Sequence, residues 1–249
     1  MRVIAVMNQK GGVGKTTTAL NLAHALALEG RRVLAIDLDP QGNLTASFGI
    51  TGHQIHGMDR VLLEGRLLAE MAFPVREGVH LIPAGQWLDR FEQERSGAQQ
   101  AWRLRCALEE LEGYDYVMVD CPPAAGMLTM NALLAVEELM IPVASDYLSL
   151  QGLARLLRIL RQVEKRLQHE TRKWFVLTRF QKRRRLAREV REKLESYFPG
   201  QVFSTPVREL VALAESPGFG QSIFDYQFRG AGADDYRGLA RELMEGRAA

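Results

Sequence analysis

The chain has 249 residues, 47% of them hydrophobic and 25% charged, with a formal net charge of +2. That composition excludes disordered, fibrous and disulfide-framework chains, and charge interrupts every apolar run well short of the ~18 residues of a membrane-spanning helix. The charge is uneven: residues 1–150 carry 12 basic and 18 acidic side chains, residues 151–249 carry 20 and 12, and 155–193 alone carry 15 and 4.

Residues 2–8, RVIAVMN, read as an apolar strand running into a glycine turn. Leu20, Ala23, His24 and Ala27 at helical spacing predict a helix from about 15 to 29, ended by Gly30. A second apolar strand at 32–37 ends in acids. A variable, helix-prone stretch then leads to a short strand at 79–83. A helix over 99–112 passes through Gly113 into a strand at 114–120. Further strands are expected at 138–144, 173–179 and 201–207, and helices at 151–168, 186–197 and 234–246. Strands apolar on both faces, alternating with helices, predict an α/β fold: one doubly wound, mainly parallel sheet with helices on both faces. No linker divides it, so one domain over 1–249 is expected. Ligands of such sheets sit beyond the carboxyl ends of the strands, where Asp37, Asp39 and Asp120 would meet.

The stretch NQKGGVGKTTTALNL (8–22) supplies the chemistry. Gly11, Gly12 and Gly14, with Val13 between them, let backbone N–H groups turn inward around an anion, and the helix N-terminus adds its partial positive charge. Lys15 would bridge β- and γ-phosphates, Thr16 would place its hydroxyl on Mg²⁺, and Thr17 would reach the α-phosphate. A glycine turn before a helix would not by itself need the G-K-T-T that follows. The loop also departs from the usual pattern: Gln9 stands where its first glycine should be, and Lys10 adds a second cation. Asp120, ending YVMVD, is placed to hold a magnesium-bound water. In DLDPQGN (37–43), an Asp is placed to orient or deprotonate an attacking water, and chemistry alone leaves this level with a capped strand end before a Pro turn.

These stretches carry a resemblance. KGGVGKTTTALNLA, VLAIDLDPQGN and YVMVDCPPAAG are similar to the deviant Walker A loop, second acidic motif and Walker B strand of ParA/Soj-type partition ATPases, within the wider ParA/MinD group of P-loop NTPases. IPVASDYLSLQGLARLL, ALAESPGFGQSIFDY and GADDYRGLARELM resemble later segments of that family. The likeness spans nearly all of the chain apart from about 52–100. It implies an ATPase using ATP and Mg²⁺, with Lys10, Lys15 and Asp39 catalytic and Thr16, Asp37 and Asp120 at the metal. Lys10 matches a signature lysine that crosses to the nucleotide of a second subunit, so the resemblance implies a homodimer sandwiching two ATP molecules. Thr178, Pro206 and Val207 would line the adenine pocket. Family members bind DNA without sequence preference, which points to Arg179, Lys182, Arg183, Arg184, Arg185, Arg188 and Arg208, with Arg191 further along the same helix. One departure is Leu210, where many members have an arginine.

The implied function is cargo positioning on the nucleoid, stimulated by a ParB-like protein or cargo adaptor. The cargo would be a plasmid, a chromosome origin, or a protein cargo such as carboxysomes or chemoreceptor clusters. No N-terminal helix-turn-helix domain is expected. A MinD-like membrane regulator is the alternative, but the tail YRGLARELMEGRAA lacks the apolar face of a membrane helix, so no membrane partner is expected. A metal-cluster ATPase would need bridging cysteines, whereas Cys106 and Cys121 read as small apolar residues in a reduced cytoplasmic compartment. A synthetase of the same superfamily would leave the basic stripe unexplained. His24, His53, His56, His80 and His169 show no metal spacing.

Overall fold

The computed structural model describes residues 1–52, 54–94, 97–167, 170–246 and 248. Its elements, in chain order, are β1 (Arg2–Val6), α1 (Lys15–Leu28), β2 (Val33–Asp37), α2 (Asn43–Ser47), α3 (Met58–Glu64), α4 (Leu68–Met71), β3 (Phe73–Arg76), β4 (Val79–Ile82), α5 (Leu88–Gln93), α6 (Arg103–Glu109), β5 (Tyr116–Asp120), α7 (Met127–Ala135), β6 (Glu138–Ala144), α8 (Tyr147–Leu167), β7 (Arg172–Thr178), α9 (Arg185–Tyr197), α10 (Val211–Glu215), α11 (Ile223–Tyr226) and α12 (Ala231–Glu245), with 3₁₀ turns at Ala98–Trp102 and Ser216–Phe219. The expected helix end at Gln168, and His53 and His169, lie outside the described residues.

The seven strands form one sheet in the order β3-β4-β2-β5-β1-β6-β7. All neighbours are parallel except the antiparallel β3–β4 pair at one edge. Because strand side chains alternate, each central strand feeds two cores. Ala5, Leu34, Ile36, Val117 and Val119 face one, with α3, α5, α6, α7, α8 and α9. Ile4, Val6, Val33, Ala35 and Met118 face the other, with α1, α2, α10, α11 and α12. This burial on both faces is why the strands read as continuous apolar runs.

Two local expectations give way, and one helix is new. Residues 201–207 run beside β7 but form only isolated bridges, at Val202 and Arg208. Pro206 has no N–H, and the Ser204 and Thr205 amides donate instead to the Glu242 carboxylate, at 2.7 and 2.9 Å. The expected helix 99–112 divides into a 3₁₀ turn and the shorter α6. Helix α7 was not expected, and its start is stabilised from a distance. The Glu92 carboxylate accepts from the Met127 and Leu128 N–H groups, both at 2.8 Å.

Candidate nucleotide site

The parallel register sets two acids side by side. Asp37 at the end of β2 pairs with Asp120 at the end of β5, and Asp120 pairs on its other side with Val6 at the end of β1. The chain then loops over these ends. Asn8 holds the start of the loop, donating from Nδ2 to the Pro142 carbonyl (2.8 Å) and accepting from the Lys10 N–H (3.1 Å). Gly12 (φ 72) and Gly14 (φ 89) take left-handed conformations that side chains other than glycine disfavour. Gly14 caps α1 without any side-chain bond, so the first N–H groups of the helix are free to face an anion. The Thr178 hydroxyl donates to the Val13 carbonyl (2.8 Å), pinning the loop to the end of β7.

These elements enclose a cavity of about 450 Å³. Gly11, Gly12, Val13, Gly14, Lys15, Thr16 and Thr17 line it, with Asp39 at one wall. Thr178, Arg179, Val207 and Arg208 line the far end, joined by Leu213 and Tyr236, which the sequence reading did not single out. Pro206, expected in the adenine pocket, does not line it. Its neighbour Val207 does.

The electrostatics are those of a site awaiting charge. Burial lowers the Lys15 pKa, although Asp120 and Asp39 push it upward. Burial, reinforced by the Asp37 charge, pushes the Asp120 carboxyl well above the usual range. The Thr16 hydroxyl donates to Asp120 Oδ2 (2.7 Å), while Oδ1 is buried without a hydrogen-bond partner among the described residues. A buried carboxylate oxygen left unpartnered beside a hydroxyl, under an anion-binding loop, fits a hard divalent cation such as Mg²⁺.

Asp37 differs from its expected place at the metal. Its Oδ2 accepts from the Thr45 N–H (2.8 Å) and hydroxyl (2.7 Å), and its Oδ1 accepts from the Asp39 N–H (3.2 Å). Both oxygens thus organise the loop after β2, and burial raises the carboxyl pKa to about 6. Asp39, by contrast, lines the cavity, and its carboxylate accepts from the Gln41 N–H (3.0 Å).

Lys10 lies outside the cavity lining. Its ammonium donates to both oxygens of Asp146 (2.7 and 2.8 Å) and to the Ser149 hydroxyl (3.0 Å). Asp146 and Ser149 lie in the segment IPVASDYLSLQGLARLL, and nothing in their spacing marks them as partners of Lys10. Among the residues expected at DNA, Lys182, Arg183, Arg184, Arg185 and Arg188 are exposed between and along β7 and α9. Arg179 turns back at φ 50 and lines the cavity. Arg208 is bonded to Asp235, at 2.9 and 2.6 Å, and to the Ala231 carbonyl, while its side chain stays 46% exposed.

The fold and the loop together define a P-loop nucleoside triphosphatase with an added lysine in its loop. The family profile for the AAA domain matches residues 1–173. The chromosome-partitioning ATPase Soj of Thermus thermophilus is 44% identical over 98% of this chain and 96% of its own length. The chromosome partitioning protein ParA of Myxococcus xanthus is 40% identical over 98% of this chain and 88% of its own length. Among solved structures, cobyrinic acid a,c-diamide synthase from Mycobacterium smegmatis with bound ADP and magnesium superimposes with a TM-score of 0.84. It is 31% identical and covers 98% of this chain and 94% of that one. The chain belongs to the ParA/Soj family of chromosome-partitioning ATPases.

Proposed function

We propose that this chain binds Mg²⁺ and ATP in the cavity over β1, β2 and β5, dimerises around two nucleotides, binds duplex DNA in that state, and hydrolyses ATP when a partner protein stimulates it. Lys15 and the loop N–H groups would hold the phosphates, and Thr16 and Asp120 the cation. Thr178 and Val207 would border the base, and Asp39 would orient the attacking water. When bound, the cation neutralises charge developing on the phosphate oxygens. Asp37 would act as a positioning residue, fixing the loop that carries Asp39.

The observation that carries this reading is the split between the two loop lysines. Lys15 is buried at the cavity, while Lys10 stands at the surface on half-exposed Asp146, where a second copy can meet it. An enzyme complete in one chain has no need of that second cation. A synthetase, as the M. smegmatis protein is named, would leave the exposed cations unexplained. A membrane role finds no support in α12, whose Tyr236, Leu239, Ala240 and Leu243 are buried in the core, and no helix among the described residues is long and apolar enough to cross a membrane. The relatives' names favour a chromosomal region as cargo.

Asp39→Ala tests the reading. The variant is expected to bind ATP, to lose hydrolysis, and to run as a persistent dimer on gel filtration with ATP. A variant that stays monomeric in ATP, or that hydrolyses at the wild-type rate, would overturn it.

A further inference from the structure

Helix α8 starts beside Lys10, which bonds Ser149 in its first turn, and runs from there with a one-sided row of cations on its outer face. Arg155, Arg158, Arg161, Lys165 and Arg166 are all exposed there, and none has an ion-pair partner among the described residues. At ~100° per residue, the five fall within an arc of about 140°. Leu153, Leu156 and Leu160 occupy the opposite side and pack into the core. The acid nearest in sequence, Glu164, is tied down elsewhere, accepting from Lys173 (2.6 Å) and the Thr171 N–H (3.1 Å). Helix α9 packs on the same face of the sheet, but its cations are interleaved with acids. Arg185 bonds Glu189, Arg191 bonds Glu195, and Glu192 stands between them.

Resting on the DNA-binding reading above, we propose that the outward face of α8 is the main phosphate-binding track for duplex DNA, with the 182–188 loop at its flank. From Arg155 to Arg166 the helix rises ~16 Å, the length of about five base-pair steps at 3.4 Å each. A row of unpaired cations spread along that length matches a phosphate backbone, whose contacts supply affinity without sequence information. The other exposed residues of the face are Tyr147, two turns before Arg155 at the start of the helix, and Gln151, Ala154 and Gln162. A helix lying in a membrane surface would need a row of large apolar side chains along the face, and a protein partner would need a cluster of aromatic or apolar anchors, where this face has one tyrosine at its end. DNA needs neither.

The test compares the full chain with Arg155→Ala/Arg158→Ala/Arg161→Ala and with Arg183→Ala/Arg184→Ala. Each is loaded with ATP and titrated with two unrelated DNA duplexes by fluorescence anisotropy over a salt series. Each lost phosphate contact removes ~0.9 from the slope of log affinity against log salt, so the α8 triple should lower the slope by up to about 3 and weaken binding near 0.1 M salt about 100-fold, equally for both duplexes. The lysine triple Arg155→Lys/Arg158→Lys/Arg161→Lys should keep the wild-type slope, which separates charge from any loss of fold. An unchanged slope in the alanine triple, alongside weakened binding in Arg183→Ala/Arg184→Ala, overturns the α8 track and leaves the DNA reading standing. No DNA binding by the wild-type chain overturns both. If the alanine triple loses binding to anionic phospholipid vesicles but keeps DNA binding, α8 is a membrane contact and the proposal fails.

Discussion

Replacing Asp120 by Asn should make the empty protein more stable and the loaded protein less so. Asp120 is 1% exposed, and its Oδ1 has no partner among the described residues. Leaving one buried polar atom unsatisfied costs about 1–3 kcal/mol. Asn keeps the shape and can still accept the Thr16 hydroxyl at the Oδ2 position. Its amide nitrogen would then replace the orphaned oxygen and remove a buried negative charge that Asp37 and Asp39 repel. The expected gain is about 1–2 kcal/mol without ligand, or roughly 2–8 °C in Tm for a chain of this size. Burial, then Asp37, raises the Asp120 pKa in the folded state. A carboxyl raised in this way loses its stabilising contribution as pH climbs through the folded pKa, so the advantage of Asn should grow with pH. Loading with Mg²⁺ and ATP should reverse the order. At a ligand concentration 100-fold above Kd the wild type gains about 2.7 kcal/mol, and the variant forfeits the magnesium-dependent share. Differential scanning calorimetry with ATP alone and with ATP plus Mg²⁺ reads both effects. A variant less stable than wild type when empty, or one with the full magnesium-dependent rise, would refute the assignment of Asp120 as the cation's carboxylate.

Lys10→Ala should leave nucleotide affinity unchanged in a fluorescent-ATP titration, because Lys10 does not line the cavity. It should still reduce ATP-dependent dimerisation in light scattering; a wild-type dimer yield would remove Lys10 from the interface. Asp37→Asn should abolish the fall in stability that Asp37 imposes as pH rises through about 6. With a folded pKa of about 6 against 3.8 for the free group, Asp37 contributes stability at low pH that is lost as pH rises through 6. The stability difference between wild type and variant, measured by urea unfolding of the metal-free protein, should therefore change by about 2 kcal/mol between pH ~4.5 and ~7. A constant difference would mean that Asp37 is not held in this way.

Much of the site was legible because its chemistry is local. Glycine spacing, a lysine and two threonines at a helix start, and an apolar strand ending in Asp are adjacent in sequence and need only a strand and a helix to take effect. The strands themselves stood out because burial on both faces leaves no polar positions to blur them. What the sequence left open is tertiary in origin. Pro206 and Val207 looked equivalent as a turn, but only the packed turn decides which ring or side chain reaches the cavity. Arg208 looked free until Asp235, on α12, closed on it. Asp37 and Asp39 could not be told apart as carboxylates two residues apart.

The sequence by itself determined the doubly wound sheet and the phosphate loop, because alternating apolar segments and glycine geometry act over a few residues. Partnership between distant groups was decided only by the tertiary structure. Glu92 starts α7 and Glu242 draws residues 204–205 away from the sheet. Thr45 takes up Asp37 while Asp39 is left open, and Asp146 holds Lys10. Each depends on a charged or polar group whose energy is set by what the fold brings within about 3 Å, a distance that spacing along the chain does not encode.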